Sequence, residues 1–177
     1  MALQSRKAIQ VAHEAAVLAA TVAEHNRRHG LKLGVVSQPS TPDAILSDGT
    51  FTTWLEITDA FHSPEWAQSL SSHNSIKGHV PMKSGLYSDP DGALASSACE
   101  RLLHKATKAS YGAVICQYGP GILVVNLQSP WLNDDSLVVL HEEWCKRGSP
   151  SVAGTFAHVY IRCGSESGAP VLPWPGT

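Results

Sequence analysis

Asp48-Gly49 separates two short runs rich in β-branched, aromatic and aliphatic residues, "DAILS" at 43–47 and "FTTWLEITDAF" at 51–61. An Asp-Gly pair supplies the left-handed backbone that a tight hairpin needs, so the two runs predict adjacent antiparallel strands. A sheet is therefore fixed early in the chain, and the remaining elements must cover its faces.

Residues 3–29 contain neither glycine nor proline, and Gly30 is a natural helix stop. Ile9, Ala12, Ala16, Ala19, Ala20 and Ala23 recur at helical spacing, which predicts one long helix with an apolar stripe. "LKLGVVS" follows as a short strand ahead of the hairpin. Residues 62–90 are rich in Ser, His, Gly and Pro and read as a long loop with one short helix. A second helix spans 91–110, with Leu94, Ala98, Leu102, Ala106 and Ala109 along its apolar stripe. "YGAVICQYG" and "GILVVNLQ" read as two strands joined across Gly119-Pro120-Gly121, and their apolar runs predict cover on both faces. "NDDSLVVLHEEWCKRG" is a third helix capped by Asn133 or Asp134 and ended by Gly148. "TFAHVYIRCG" is a last strand, and the Pro/Gly-rich segment 165–177 reads as a surface tail outside a single domain at 1–164. The expected class is α/β, a mixed sheet flanked by helices.

Bulk properties narrow the function. The 177 residues fit one domain with a true core, and 43% hydrophobic with 16% charged residues is a globular balance. A net charge of -2 argues against a generally cationic nucleic-acid coat but leaves room for a local basic face. Cys99, Cys116, Cys145 and Cys163 form no CxxC pair, which speaks against a zinc ribbon or a small disulfide scaffold. Free thiols in a reducing compartment are the simpler reading. His13 and Glu14 interrupt the first apolar run, so neither a signal peptide nor a membrane span is expected. The expected location is cytoplasmic.

The order helix, three strands, helix, strand, with Pro42-Asp43 opening the second strand and Glu56 inside "WLEIT", resembles the PD-(D/E)XK nuclease superfamily. The resemblance covers about residues 1–128 and implies a restriction-endonuclease-like αβββαβ core with an added C-terminal strand and helix. It implies hydrolysis of phosphodiester bonds with Mg²⁺ or Mn²⁺, held by Asp43, Glu56 and the carbonyl of Ile57. Two carboxylates on neighbouring strands suit a hard cation that prefers oxygen ligands, and the cation offsets charge developing on the phosphate. The superfamily pattern places a lysine two residues after the second acid, on the same strand face. Here that residue is Thr58.

Arg101, Lys105 and Lys108 on the second helix stand at spacings that share one face. Some superfamily members carry the catalytic positive charge on this helix, which makes Lys105 the first substitute and Lys108 the second. By the same resemblance the first helix contributes an acid, Glu14 in preference to Glu24. Lys77, His79, Lys83 and Arg101 are the residues assigned to the nucleic-acid backbone, with DNA the first choice. Many superfamily members are dimers, so a homodimer stays open, and no membrane partner is expected. Two alternatives stand beside a nuclease: a nuclease-fold binding or regulatory module without catalysis, of the kind associated with phages, mobile elements or toxin and defence systems, and an unrelated α/β domain. Taken singly, Asp43 as a turn residue, Glu56 on an exposed strand face and the three basic residues as a solvated face are each the commoner situation. Asp59 reads as a cap. "HEEW" lacks the second histidine of a zinc protease helix, and His62, His73 and His79 show no familiar ligand spacing.

Overall fold

A computed structural model describes residues 6–72, 78–81, 88–164 and 168–175, and in it the Asp48-Gly49 turn closes as its chemistry dictates. Asp48 Oδ1 accepts from the backbone N–H of Thr50 at 2.9 Å and of Phe51 at 2.8 Å, and Gly49 takes a φ of 91°. The turn joins β2 (Ala44–Ser47) to β3 (Thr52–Phe61), and β1 (Gly34–Ser37) pairs antiparallel with β2 on the outer side. β4 (Gly121–Gln128) and β5 (Phe156–Cys163) then add in parallel to β3. The result is a six-stranded mixed sheet in the order β1-β2-β3-β4-β5-β6.

Helices cover both faces of this sheet. α1 (Arg6–His29) packs on one side through Val17, Leu18 and Val22, against Leu46, Leu55, Ile57 and Val124. α3 (Pro90–Ala106) and α5 (Asp134–Lys146) pack on the other, where Leu94, Ala98, Leu102 and Leu140 meet Trp54, Leu123 and Val125. Alternation along β3 thus sends Trp54, Glu56 and Thr58 toward α3, and Leu55, Ile57 and Asp59 toward α1. β4 is buried along its whole length, as its unbroken apolar run requires. Asn133 is the cap of α5, accepting from Asp135 N–H and Ser136 N–H, while the Ser136 hydroxyl accepts from Asn133 N–H.

Four expectations change. The alanine stripe of α1 is not its buried face: Ala12, Ala16, Ala19 and Ala23 are exposed, and the side chain of Ile9 lies outside the described residues. The helix instead buries its bulkier Val and Leu residues together with Thr21 and His25, because they remove more apolar surface from water. "YGAVICQYG" is not a strand but a 3₁₀ turn, Ala109–Tyr111, followed by α4 (Gly112–Tyr118). A short apolar run fits either period, and here only one side of the run meets the core, through Val114, Ile115 and Tyr118. α3 ends at Ala106, so Lys108 falls outside the helix and no longer shares a face with Arg101 and Lys105. The expected tail supplies β6 (Val171–Pro173), antiparallel to β5, with Trp174 buried against Trp144. In the long segment after β3, α2 (Pro64–Ser72) is the short helix anticipated there.

Candidate functional site

β2 is short, and this shapes the site. It pairs with β3 only over Thr52–Leu55, so beyond Leu55 no strand among the described residues lies beside the outer edge of β3. Asp43, one residue before β2, fills the first position of that gap: its Oδ2 accepts from the backbone N–H of Ile57 at 2.7 Å. The N–H and C=O of one strand residue point to the same side, so the Ile57 carbonyl faces the same gap.

Glu56 is directed to the α3 face and is only 4% exposed. Lys105, one turn beyond the buried Leu102, reaches down from α3 and donates to Glu56 Oε1 at 2.5 Å. Glu56 Oε2 and the Tyr111 hydroxyl are also buried, and the phenol stands close enough to the Glu56 carboxylate for a hydrogen bond between them to count in its electrostatics. Burial, reinforced by the nearby Glu56 carboxylate, pushes the Tyr111 phenol far above its ordinary range, so it stays neutral. Burial also holds the Asp43 carboxyl above the ordinary carboxylate range. The Ile57 N–H opposes that shift, the charges of Glu56 and Glu14 add to it, and Lys105 offsets part of it. Three carboxylates therefore share one field with a single ammonium.

The remaining sequence candidates divide clearly. Glu14 lies on α1, accepts from Gln10 Nε2 at 2.8 Å, and its charge is felt at Asp43. Glu24 is bound by Arg27 and Arg28, and hydrogen bonding from Arg27 leads in holding its carboxyl down at about 2. Lys108 sits over the Tyr111 ring, 5.0 Å from its centroid, rather than on Glu56. Arg101 is exposed on α3. Thr58 is buried two residues beyond Glu56 on the same face. His79 is exposed, with Nδ1 3.5 Å from Ser72 Oγ, and Lys77 and Lys83 lie outside the described residues.

Two groups were hidden from sequence reasoning. Tyr111 was concealed by the strand reading of its segment. Asp59 is no cap: its Oδ1 lies 3.1 Å from His13 Nε2 and accepts from Asn126 Nδ2 at 2.7 Å. Arg162 of β5 in turn donates to Asn126 Oδ1 at 3.2 Å and to the Gly164 carbonyl at 2.5 Å. Only the alternation of β3 could have hinted at this, since it turns Asp59 to the α1 face. A cavity of about 470 Å³ opens elsewhere, between α2 and the segments after β4 and β5, and its lining includes Trp66, Gln128, Cys163 and Pro170 but none of the acids above. Convergent charge, not cavity size, singles out the Asp43–Glu56 region.

Among the described residues, the ligands that region offers are oxygens, from Asp43, Glu56 and the Ile57 carbonyl. Such a set suits a hard divalent ion such as Mg²⁺ or Mn²⁺. A buried carboxylate is costly unless a cation or donor approaches it. Among the described residues, no helix is long and apolar enough to cross a membrane. Comparison of the chain with protein-family models, curated proteins and solved structures returns no match, so the reading of this site rests on its own geometry.

Proposed function

We propose that the chain is a divalent-cation-dependent nuclease of the PD-(D/E)XK type, in which the motif lysine is supplied by Lys105 from α3. The observation that carries this reading is the ion pair of Lys105 with Glu56, the acid two residues before Thr58, which stands where the motif lysine would be. Asp43, Glu56 and the Ile57 carbonyl hold Mg²⁺ or Mn²⁺, and Glu14 adds negative charge to the same field. When bound, such an ion supplies neutralisation of the phosphate and acidification of a water. The protein's own groups then have separable tasks. Asp43 is fixed by the Ile57 N–H, so its second oxygen has a defined direction. The Lys105 ammonium orients the attacking water or a phosphate oxygen. Tyr111, neutral at working pH, keeps its hydroxyl proton and offers it toward Glu56.

One observation favours the second reading, a binding module without catalysis. The Lys105–Glu56 ion pair already forms in the protein alone, so Lys105 is partly engaged before any substrate arrives. Calorimetric titration with Mn²⁺ separates the two when run on the wild type, Asp43→Asn and Glu56→Gln, with DNA and RNA cleavage assayed in parallel. Saturable binding and Mg²⁺-dependent cleavage in the wild type, both lost in the variants, are the expected results. Cleavage that survives in both variants overturns the nuclease reading. Nucleic-acid binding without any metal site would select the module.

A further inference from the structure

A second cluster lies on the opposite face of the sheet and uses different ligand chemistry. His25 and His29 are one helical turn apart at the end of α1, and His158 projects from β5 toward them. The ring centroids are 4.5 Å apart for His25 and His29, 4.9 Å for His25 and His158, and 4.5 Å for His29 and His158. One ring nitrogen from each lies within 4.8 Å of the other two. We propose that His25, His29 and His158 form a Zn²⁺ site that clamps the end of α1 onto β5.

Ordinary packing gives a weak account of this arrangement. Three imidazoles facing one another disfavour protonation, and no carboxylate of the cluster compensates. The Glu24 carboxylate, next to His25 in sequence, is engaged by Arg27 and Arg28. His25 is buried against the other two imidazoles, an environment that disfavours its charged form. Neutral imidazole nitrogens are what Zn²⁺ takes, at about 2.0–2.1 Å in a tetrahedral shell. Ligand atoms in such a shell stand about 3.4 Å apart, and the three nitrogens, all within 4.8 Å of one another, lie near that spacing.

The surrounding groups supply the support that a metal-bound histidine uses. The Tyr160 hydroxyl lies 2.9 Å from His25 Nδ1 and 3.2 Å from His29 Nε2. A partner on one ring nitrogen fixes the ring orientation and leaves the other for the metal. His25 is the buried floor of the cluster, His158 is half-buried and His29 is exposed, which leaves a route from solvent. The three nitrogens leave a fourth position for water. The site is soft enough to prefer Zn²⁺ over Mg²⁺, in contrast to the all-oxygen set at Asp43 and Glu56.

Metal-stripped protein is titrated with Zn²⁺ by calorimetry and with Co²⁺ by visible absorption. The wild type should bind one Zn²⁺ with micromolar or tighter affinity and give the intense visible bands of four-coordinate Co²⁺. At a hundredfold excess of Zn²⁺ over Kd, the melting temperature should rise by about 5–10 °C. His158→Gln should weaken Zn²⁺ binding at least tenfold, and so should His29→Gln, whose exposed side chain can be replaced without loss of folding. Glu56→Gln should leave Zn²⁺ binding intact, which separates this site from the acidic one. No saturable Zn²⁺ binding by the wild type, or unchanged affinity in His29→Gln, overturns the proposal.

Discussion

β3 carries two carboxylates three residues apart, and their surroundings differ in kind. Asp59 belongs to a network with His13, Asn126 and Arg162, in which carboxylate, amide and guanidinium are joined by direct hydrogen bonds. Glu56 meets one lysine and the Tyr111 phenol, and it shares its field with Asp43 and Glu14. The first arrangement balances charge with directed partners and ties β3, β4, β5 and α1 together. The second gathers three carboxylates around one ammonium among the described residues. Buried charge is tolerated when it is paired, so the unpaired remainder is the better pointer to a site.

Three experiments bear on this contrast. Lys105→Met gives the largest expected effect: cleavage should fall about 100- to 1000-fold, the usual loss for one positioned electrostatic donor. Affinity for Mn²⁺ should hold or increase, because the variant removes a competing positive charge. Single-turnover assays together with calorimetry make this distinction, and a parallel collapse of both quantities would demote Lys105 to a purely structural partner. Arg162→Met comes next and acts on the other network. Loss of a buried, hydrogen-bonded charge should cost about 3 kcal/mol of unfolding free energy while leaving Mn²⁺ binding unchanged. Urea denaturation measures the first and titration the second; an altered metal affinity would mean that the two networks are coupled.

The smallest effect is a pH dependence of the metal-free protein. The folded value of His25 is about 4, below the ordinary 6.5, so the folded protein binds fewer protons than the unfolded chain between those values. Stability should therefore fall as the pH drops from 6.5 toward 4, by on the order of 2 kcal/mol, and level off below. Thermal melts of the wild type and His25→Gln across this range test it, since the variant should lose that part of the slope. An unchanged slope would shift the acid sensitivity to other groups.

Most of the fold was legible because local signals agreed with tertiary demands. The Asp48-Gly49 hairpin, the Asn133 cap and the unbroken apolar run of β4 each carry a physical reason in a few adjacent residues. The misreadings fell where that locality failed. The segment 111–118 has the composition of a strand, yet it packs against the core on one side only and winds into a helix. The alanines of α1 have the right period, but Val17, Leu18 and Val22 gain more by burial and turn the helix to their own side.

The same boundary runs through the sites. Sequence alone placed Asp43 at the start of β2, put Glu56 and Thr58 on the Trp54 face of β3, and put Lys105 on the helix that follows, because strand and helix periods fix direction along an element. It could not decide that Lys105 rather than Lys108 reaches Glu56, since that depends on α3 ending at Ala106. Nor could it join His25 to His158 or Asp59 to Asn126, which lie 133 and 67 positions apart. Those contacts exist only once α1 settles on the sheet and the parallel strands set their register, a choice made by the packing of the whole core rather than by any stretch within it.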